Sequence, residues 1–568
     1  MKPQSATITY LLNGKQHELD LLSEGSGAAS TSEKNSEKNS EGSSKSSSSD
    51  KSLRFKTTFD DDRTTITLIP EKAVEITELK LIYPYKFDER DHILMNGYQS
   101  WTVCKEYSSD TTIDYAENMA KVLKHKKTDH TGDRQFTDYE KENRWLHGVS
   151  YGYIRQKADF RFFGSLNEQQ GFTFFDIDTK KETFTVRKDL QTRLFDTEFT
   201  ALDVIFLKGT EDEVFDGYFE KLGVTSTGAQ PMTGYTTWYR HLQDISERQL
   251  LKDLSEVSEA SAKYACQIFC IDEGYENALG DWLTPKKSAF PHGIYPITKK
   301  IQGAGLRAGI WIAPFICEKH SRIYKNHPDW LLKDESGNLI KACTSWNTCY
   351  CLDTSNPNFR RHLKNVLLTM RDDWGISVFK FDFLYAACMI PSTTQTRAEK
   401  LYDCIHFLKD CVGDSVTIAC GVPLMAAAGV MDYCQVSCDL SPEWFPPLSQ
   451  ASREQNSTYR ALMDMINHRQ LAGRAFSIFT NALPINNPLF YFSKEKRFLL
   501  GRAMGLSRGM ILTSDDLSSY EAEDTVTWNT IHSLRQANIK DIYTKDKELI
   551  LEYELYKQPQ RLKISLIE

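Results

Sequence analysis

The sequence predicts a three-part chain: an N-terminal antiparallel β-sandwich, a central (β/α)8 TIM barrel and a small C-terminal antiparallel β domain. Three observations carry this. Before Gly228, short segments such as residues 64–70, 79–83, 172–178 and 184–186 alternate apolar and polar side chains, as half-buried antiparallel strands do. After Gly228, short apolar runs alternate with longer helical stretches, which is the pattern of parallel βα units. The tail returns to alternation over residues 549–555 and 562–567.

In chain order, residues 1–228 form the sandwich. Residues 5–20 read as strands. Residues 23–52 break down into Ser, Glu, Lys, Asn and Gly repeats, which cannot bury apolar surface and read as a disordered loop inside the β domain. Asn96-Gly-Tyr-Gln-Ser-Trp101 reads as a turn around a packed Trp in preference to an arm over another domain's pocket. The barrel is assigned to residues 229–514. Its eight candidate strands are 233–239, 265–271, 307–312, 378–382, 415–420, 430–436, 475–480 and 509–512. Ser246-Glu-Arg-Gln249 is a capping box ahead of Leu250, Leu251 and Leu254, and so marks a helix start. Long loops are expected over 315–347 and 437–448. The C-terminal domain, 515–568, opens with a helical stretch at 526–537.

Hydrophobic residues at 40% and charged residues at 26% are an ordinary globular balance. Ten Trp and 12% aromatics supply either sugar platforms or core. A net charge of −8 gives no basic field for phosphates, so no nucleic-acid partner is expected. No apolar run is long enough to span a bilayer, so no membrane partner is expected either. The N-terminal residues alternate and lack the apolar core of a secretory signal. The 13 cysteines are odd in number and scattered without zinc spacing, which reads as reduced thiols in a cytoplasmic protein.

The chemistry centres on Val378-Phe-Lys-Phe-Asp-Phe-Leu-Tyr385. Side chains two apart share a strand face, so Lys380 and Asp382 point the same way inside an apolar run. A structural ion pair is one reading and a functional pair the other. Active sites of such barrels gather at the C-terminal strand ends. Those ends carry Trp238-Tyr239, Asp272-Glu273-Gly-Tyr275 with Asp281-Trp282, Trp311, Lys380 and Asp382, Cys420-Gly421, Asp439-Leu-Ser-Pro-Glu-Trp444, Asn486-Asn487-Pro488 and Ser514-Asp515-Asp516. This is a ring of carboxylates and aromatics with one lysine. No HExxH, histidine cluster or phosphate loop accompanies it, so no metal and no cofactor are expected. Paired carboxylates beside Trp and Tyr suit glycosidic bond cleavage. Cys420 reads equally as core, and Trp346 and Trp444 equally as loop packing. Asp515 and Asp516 read as caps, and Glu443 stands as a second candidate acid beside Asp439.

These residues, over 231–517, resemble glycoside hydrolase family 36, the melibiase-type α-galactosidases. Trp238-Tyr239 looks like that family's first-strand WY, Asp272-Glu-Gly-Tyr275 like its DDGW, and Asp281-Trp282 with Phe290-Pro-His-Gly293 like its DW…FPxG. Gly309-Ile-Trp311-Ile-Ala-Pro314 is similar to GxWxxP, and His327-Pro-Asp-Trp330 to HPDW. Lys380-Phe-Asp382-Phe-Leu-Tyr385 resembles the nucleophile strand of a branch reading KLDFLY. Cys420-Gly421, Cys438–Trp444 and Ser514-Asp-Asp-Leu517 resemble the fifth strand, the acid/base loop and the SDDL.

The resemblance implies a retaining, exo-acting α-galactosidase. Asp382 would be the nucleophile and Asp439 the general acid and base. Asp272, Glu273, Lys380 and Cys420 would bind sugar hydroxyls, and Trp311, Trp282 and Trp444 would border the ring. A small oligosaccharide or glycoside is the expected partner, with a homo-oligomer allowed for. Lys380 is expected to favour ionised Asp382. The departures are Glu273 for Asp, Tyr275 for Trp, Phe383-Leu384 for Met-Asn, and Asn487 and Leu489 within the NDPD. They bear on the sugar more than on the reaction, leaving an α-N-acetylgalactosaminidase or an α-galactosyl transglycosylase as alternatives. The alternative from another class is an aldolase-like barrel with Lys380 as Schiff base.

Overall fold

The computed structural model describes residues 2–22, 52–111, 144–343, 346, 348–446 and 456–566. The Ser-rich segment falls outside these, apart from Ser52.

Among the described residues, the N-terminal part forms two antiparallel sheets. One runs in the order Lys15–Asp20, Ser5–Leu12, Val74–Pro84, Thr183–Lys188, Thr173–Asp178, Trp145–Val149, with Leu194–Phe195 also pairing with Val74–Pro84. The other runs Leu53–Phe59, Arg63–Pro70, Phe199–Gly209, Asp159–Ser165, Tyr151–Gln156, His92–Met95, Lys105–Ser108. Every second residue of Ser5–Leu12 is buried. Ile8, Tyr10, Leu81 and Phe184 of the first sheet share one core with Ile66, Leu68, Phe163 and Val204 of the second. The expected alternation is thus what joins the layers.

The barrel strands are β1 (Thr233–Thr236), β2 (Ile268–Ile271), β3 (Arg307–Ile312), β4 (Val378–Phe381), β5 (Val416–Ala419), β6 (Tyr433–Gln435), β7 (Ser477–Leu483) and β8 (Met510–Thr513). Each pairs in parallel with the next, and β1 also pairs with β8, so the ring is closed. This is a TIM barrel with antiparallel sheets on either side. All eight predicted strands coincide with observed ones. The first is shorter than expected, because Trp238–His241 turns into a short helix.

Two cores follow from the two strand faces. Ile268, Cys270, Val378, Ile418, Cys420, Tyr433, Phe479, Met510 and Leu512 pack inside the ring. Phe269, Ile271, Phe379 and Phe381 pack outward against the helices. Continuing the inward face by steps of two places Asp272, Lys380, Asp382, Gln435 and Asn481 at the C-terminal mouth.

Some elements differ from expectation. The long loop after β3 contains a three-stranded antiparallel sheet of Ile316–Glu318, Cys349–Cys351 and Lys341–Cys343. Between β5 and β6 only the short helix Leu424–Ala427 intervenes, and it packs against Glu168–Gln170 of the sandwich. The sandwich therefore covers this side in place of a full-length helix. Helix Glu247–Tyr264 starts at Ser246, whose Oγ accepts from Gln249 N. The Gln249 amide donates to the Asp244 carbonyl instead of closing the box.

After β8, helix Ala522–Ser533 packs on helix Lys494–Leu506. A Cβ at Gly505 would lie 2.3 Å from the Ile531 carbonyl oxygen, so the close approach requires glycine. A three-stranded meander, Asn538–Lys545, Glu548–Leu555 and Gln558–Ser565, ends the chain. All 13 cysteines are buried. No helix among the described residues is long and apolar enough to cross a membrane.

Candidate active site

The base of the mouth is a buried ion pair. Lys380 Nζ donates to Asp272 Oδ2 at 2.9 Å. Thr236 Oγ1 donates to the same oxygen at 3.0 Å, and Glu273 N donates to Asp272 Oδ1 at 3.0 Å. The lysine's ion-pair partner is thus Asp272 and not Asp382, two residues on. Parallel side chains two residues apart start about 6.6 Å from each other along a strand, whereas Asp272 faces Lys380 across the ring. Burial opposes the ammonium charge, but Asp272, then Cys420, Asp382 and Asp439, overcome it and hold Lys380 well above its ordinary value. A Schiff-base lysine needs the opposite shift, so the aldolase-like alternative does not fit this pocket.

Asp382 lies one step beyond β4. Trp311 Nε1 donates to its Oδ2 at 2.8 Å, and Phe383 N to its Oδ1 at 2.9 Å. Burial raises this carboxyl to about 6, Lys380 pulls it down, and the Asp439 charge adds to the rise. Lys380 does favour the anion as expected, yet burial outweighs it.

Asp439 comes from the loop after β6. Gln435 Nε2 donates to its Oδ1 at 3.0 Å. Burial raises its carboxyl above the ordinary value, against Lys380 and Gln435. Two residues hold the loop in place: Leu440 N donates to Tyr239 Oη at 2.9 Å, and Asn481 Nδ2 donates to Ser437 Oγ and the Cys438 carbonyl at 3.1 Å each. Neither Gln435 nor Asn481 stands out in the sequence. Asn481 has a left-handed φ of 68° at a break in the β7–β8 register, a strain that only coordinates reveal.

The predicted aromatics divide. Trp311 meets Trp282 edge-on at 5.9 Å, with Trp282 fully buried. Trp346 donates its indole N–H to Glu273 Oε1 and meets the Phe383 ring at 5.3 Å. Trp444 instead packs on Phe492 at 5.4 Å and Tyr459 at 6.3 Å, with Lys496 over its face. Glu443 is exposed. Cys420 is fully buried beside Lys380 and Asp382. Asp515 accepts from Ile485 N, Asn486 N and Tyr520 Oη, and Asp516 caps Ser518 N. Both therefore brace loops. Among the described residues no group of three or more His, Cys, Asp or Glu is placed to hold a metal ion.

The sandwich loop 96–101, expected to be a turn, is an arm that reaches the barrel mouth. Ser100 N donates to the Val422 carbonyl at 2.9 Å, Tyr98 Oη contacts Cys388 Sγ at 3.1 Å, and Arg460 donates to the Trp101 carbonyl. Trp101 stands edge-on to Phe383 at 4.9 Å and to Tyr385 at 5.9 Å. Its Nε1 is buried without a partner among the described residues. Gly421, at φ +58°, makes room for the ring, since a Cβ there would sit 2.9 Å from it.

The Melibiase family model matches residues 237–408, the stretch from the end of β1 through β4 and its following helix. That match spans less than a third of the chain. Curated relatives include an alpha-galactosidase of Escherichia coli, 30% identical over 86 residues, and one of Lactobacillus acidophilus, 27% identical over 136 residues. These alignments span 14% and 23% of this chain and only 12% and 18% of those relatives' own lengths. The alpha-galactosidase TtGalA of Thermus thermophilus shares the fold with a TM-score of 0.69 and 21% identity, over 89% of this chain and 96% of that one. The GH36 alpha-galactosidase AgaA of Geobacillus stearothermophilus aligns with a TM-score of 0.58 and 12% identity, over 89% of this chain and 71% of that one. The Melibiase match includes Asp272, Glu273, Trp282, Trp311, Lys380 and Asp382. Cys420, Asp439 and Trp444 lie beyond it.

Proposed function

We propose that the protein is a glycoside hydrolase, a retaining, exo-acting α-galactosidase that removes terminal α-galactosyl residues from oligosaccharides. The observation that carries this reading is that Asp382 and Asp439 open into one barrel mouth, where the charge of Asp439 raises the Asp382 carboxyl. Two titratable carboxyls that oppose each other's ionisation are what a nucleophile and an acid require. The substrate class is supported by the neighbours' ligands: TtGalA was solved with p-nitrophenyl alpha-D-galactopyranoside and with stachyose.

In the first step Asp382 attacks the anomeric carbon while Asp439 gives its proton to the glycosidic oxygen, and the leaving group departs as an alcohol. The product is a galactosyl ester of Asp382. Esterification removes the Asp382 charge that favoured a protonated Asp439, so Asp439 is free to act as base. It takes a proton from water, the hydroxide oxygen bonds to the anomeric carbon, and Asp382 leaves as the anion. Asp272, paired with Lys380, accepts hydrogen bonds from the sugar's 4- and 6-hydroxyls. Lys380 and Cys420 lie toward the 2- and 3-positions, and Trp311 borders the ring.

Replacing Asp382 by Gly and adding azide tests the covalent step. The expected result is no hydrolysis of aryl α-galactosides with good leaving groups until azide is added, then β-galactosyl azide. Hydrolysis by the variant without azide would remove Asp382 as nucleophile. Aryl α-glycosides differing only at C2 and C4 separate this activity from an α-N-acetylgalactosaminidase, and product analysis at high sugar concentration separates it from transglycosylation.

A further inference from the structure

Among the described residues, no cation stands against Glu273 at the mouth. The ammonium of Lys380 is bound at 2.9 Å to Asp272. Glu273 is 4% exposed. From its own turn it faces Asp272 and Glu276, and from β4 it faces Asp382, all carboxyls. From the excursion after β3 it faces Trp346, whose indole N–H donates to Oε1. Glu273 Oε2 has no protein partner among the described residues. Trp346 is itself set by its ring against Phe383, and Phe383 by its ring against Trp101, so the carboxyl is fixed through a line of three aromatics that starts in the sandwich.

A second anion beside Asp272 would be buried, uncompensated and repelled by three neighbours. A neutral carboxylic acid in the same place keeps the Trp346 bond on Oε1 and carries its proton on Oε2. We propose that Glu273 works as a neutral hydrogen-bond donor to a hydroxyl of the galactosyl ring, complementing Asp272, which works as a charged acceptor. This rests on the galactosidase reading above and deepens it. A hydroxyl both donates and accepts, and a charged and a neutral carboxyl side by side satisfy both directions. Burial, reinforced by Glu276, pushes the Glu273 carboxyl up to about 9 against the pull of Trp346, which agrees with the neutral form at physiological pH.

The test compares Glu273→Gln and Glu273→Ala with the wild type on 4-nitrophenyl α-galactoside. Gln presents a neutral N–H donor in the same place. Its kcat/KM at mildly acid pH is expected within about threefold of wild type, while Ala loses roughly tenfold or more, chiefly in KM. The ratio of the Gln variant to wild type rises as pH climbs through about 9, because only the wild type then loses its donor and gains a repelled charge. Limbs from Asp382 and Asp439 cancel in that ratio.

The readout independent of turnover is infrared difference spectroscopy of wild type against Glu273→Gln at neutral pH, which should show a protonated-carboxyl carbonyl band in the wild type only. A Gln variant as impaired as the Ala variant, or a folded wild type showing only carboxylate bands for this residue, would overturn the donor role. A wild type that cleaves no α-galactoside at all would sink the galactosidase reading, while the infrared band would still decide the charge state.

Discussion

Asp382→Asn removes an ionisation that the fold opposes, and the size of that opposition follows from the site. Burial lifts the Asp382 carboxyl from an ordinary 3.8 to about 6. A gap of about two pH units at 1.36 kcal/mol each makes about 3 kcal/mol. Because the folded value is the raised one, this stability is fully present below the ordinary value and is lost as pH rises through about 6. Asn cannot ionise and loses nothing over that range.

A second contribution is independent of pH. Asp382 accepts an N–H on each oxygen, from Trp311 and from Phe383, and the Asn amide nitrogen must face one of these donors at a cost of about 1–2 kcal/mol. The variant should therefore melt below wild type near about pH 4 and above it near about pH 8, a relative swing of roughly 6 °C in barrel melting followed by circular dichroism. Turnover of aryl α-galactosides should be lost at both. A melting difference that stays constant between the two pH values would refute burial as the force that sets this charge.

Lys380→Met leaves Asp272 buried without its cation and should destabilise the protein by about 3–5 kcal/mol in thermal unfolding. Lys380 also lowers the Asp382 carboxyl, so in any residual activity the acid limb of kcat/KM should move to higher pH; an unmoved limb would count against that coupling. Gly421→Ala puts a Cβ 2.9 Å from the Trp101 ring at a left-handed φ of +58°. It should cost about 1–3 kcal/mol and raise KM more than it lowers kcat as the arm is displaced, with tryptophan fluorescence reporting the movement.

The path from sequence to site was uneven. The eight barrel strands were readable because each is a short apolar run bounded by turn residues, and parallel buried strands have no other pattern open to them. Lys380 and Asp382 were readable as a pair on one face because a strand's period is two. Their partners were not. Gln435 and Asn481 are single amides without local signature, and they matter because strands far apart in sequence converge on the Asp439 loop. The 96–101 arm was misread because an aromatic-polar hexapeptide looks the same whether it folds back on its own sheet or crosses to a neighbour. What decides is the short Leu424–Ala427 helix, which leaves that flank of the barrel to the sandwich. Trp444 shows the converse, a motif residue whose ring packs on Phe492 and Tyr459.

Local periodicity was therefore enough to give the three-part layout, the ring of parallel strands and the inward column of carboxylates at its mouth, because hydrophobic spacing is a property of neighbouring residues. Which acid takes Lys380, which acids are lifted toward neutrality and which loop from the sandwich walls the mouth were decided only in three dimensions. Desolvation and Coulomb interaction depend on what surrounds a group in space, and here those surroundings come from segments more than a hundred residues apart, as Asp272 and Lys380 are.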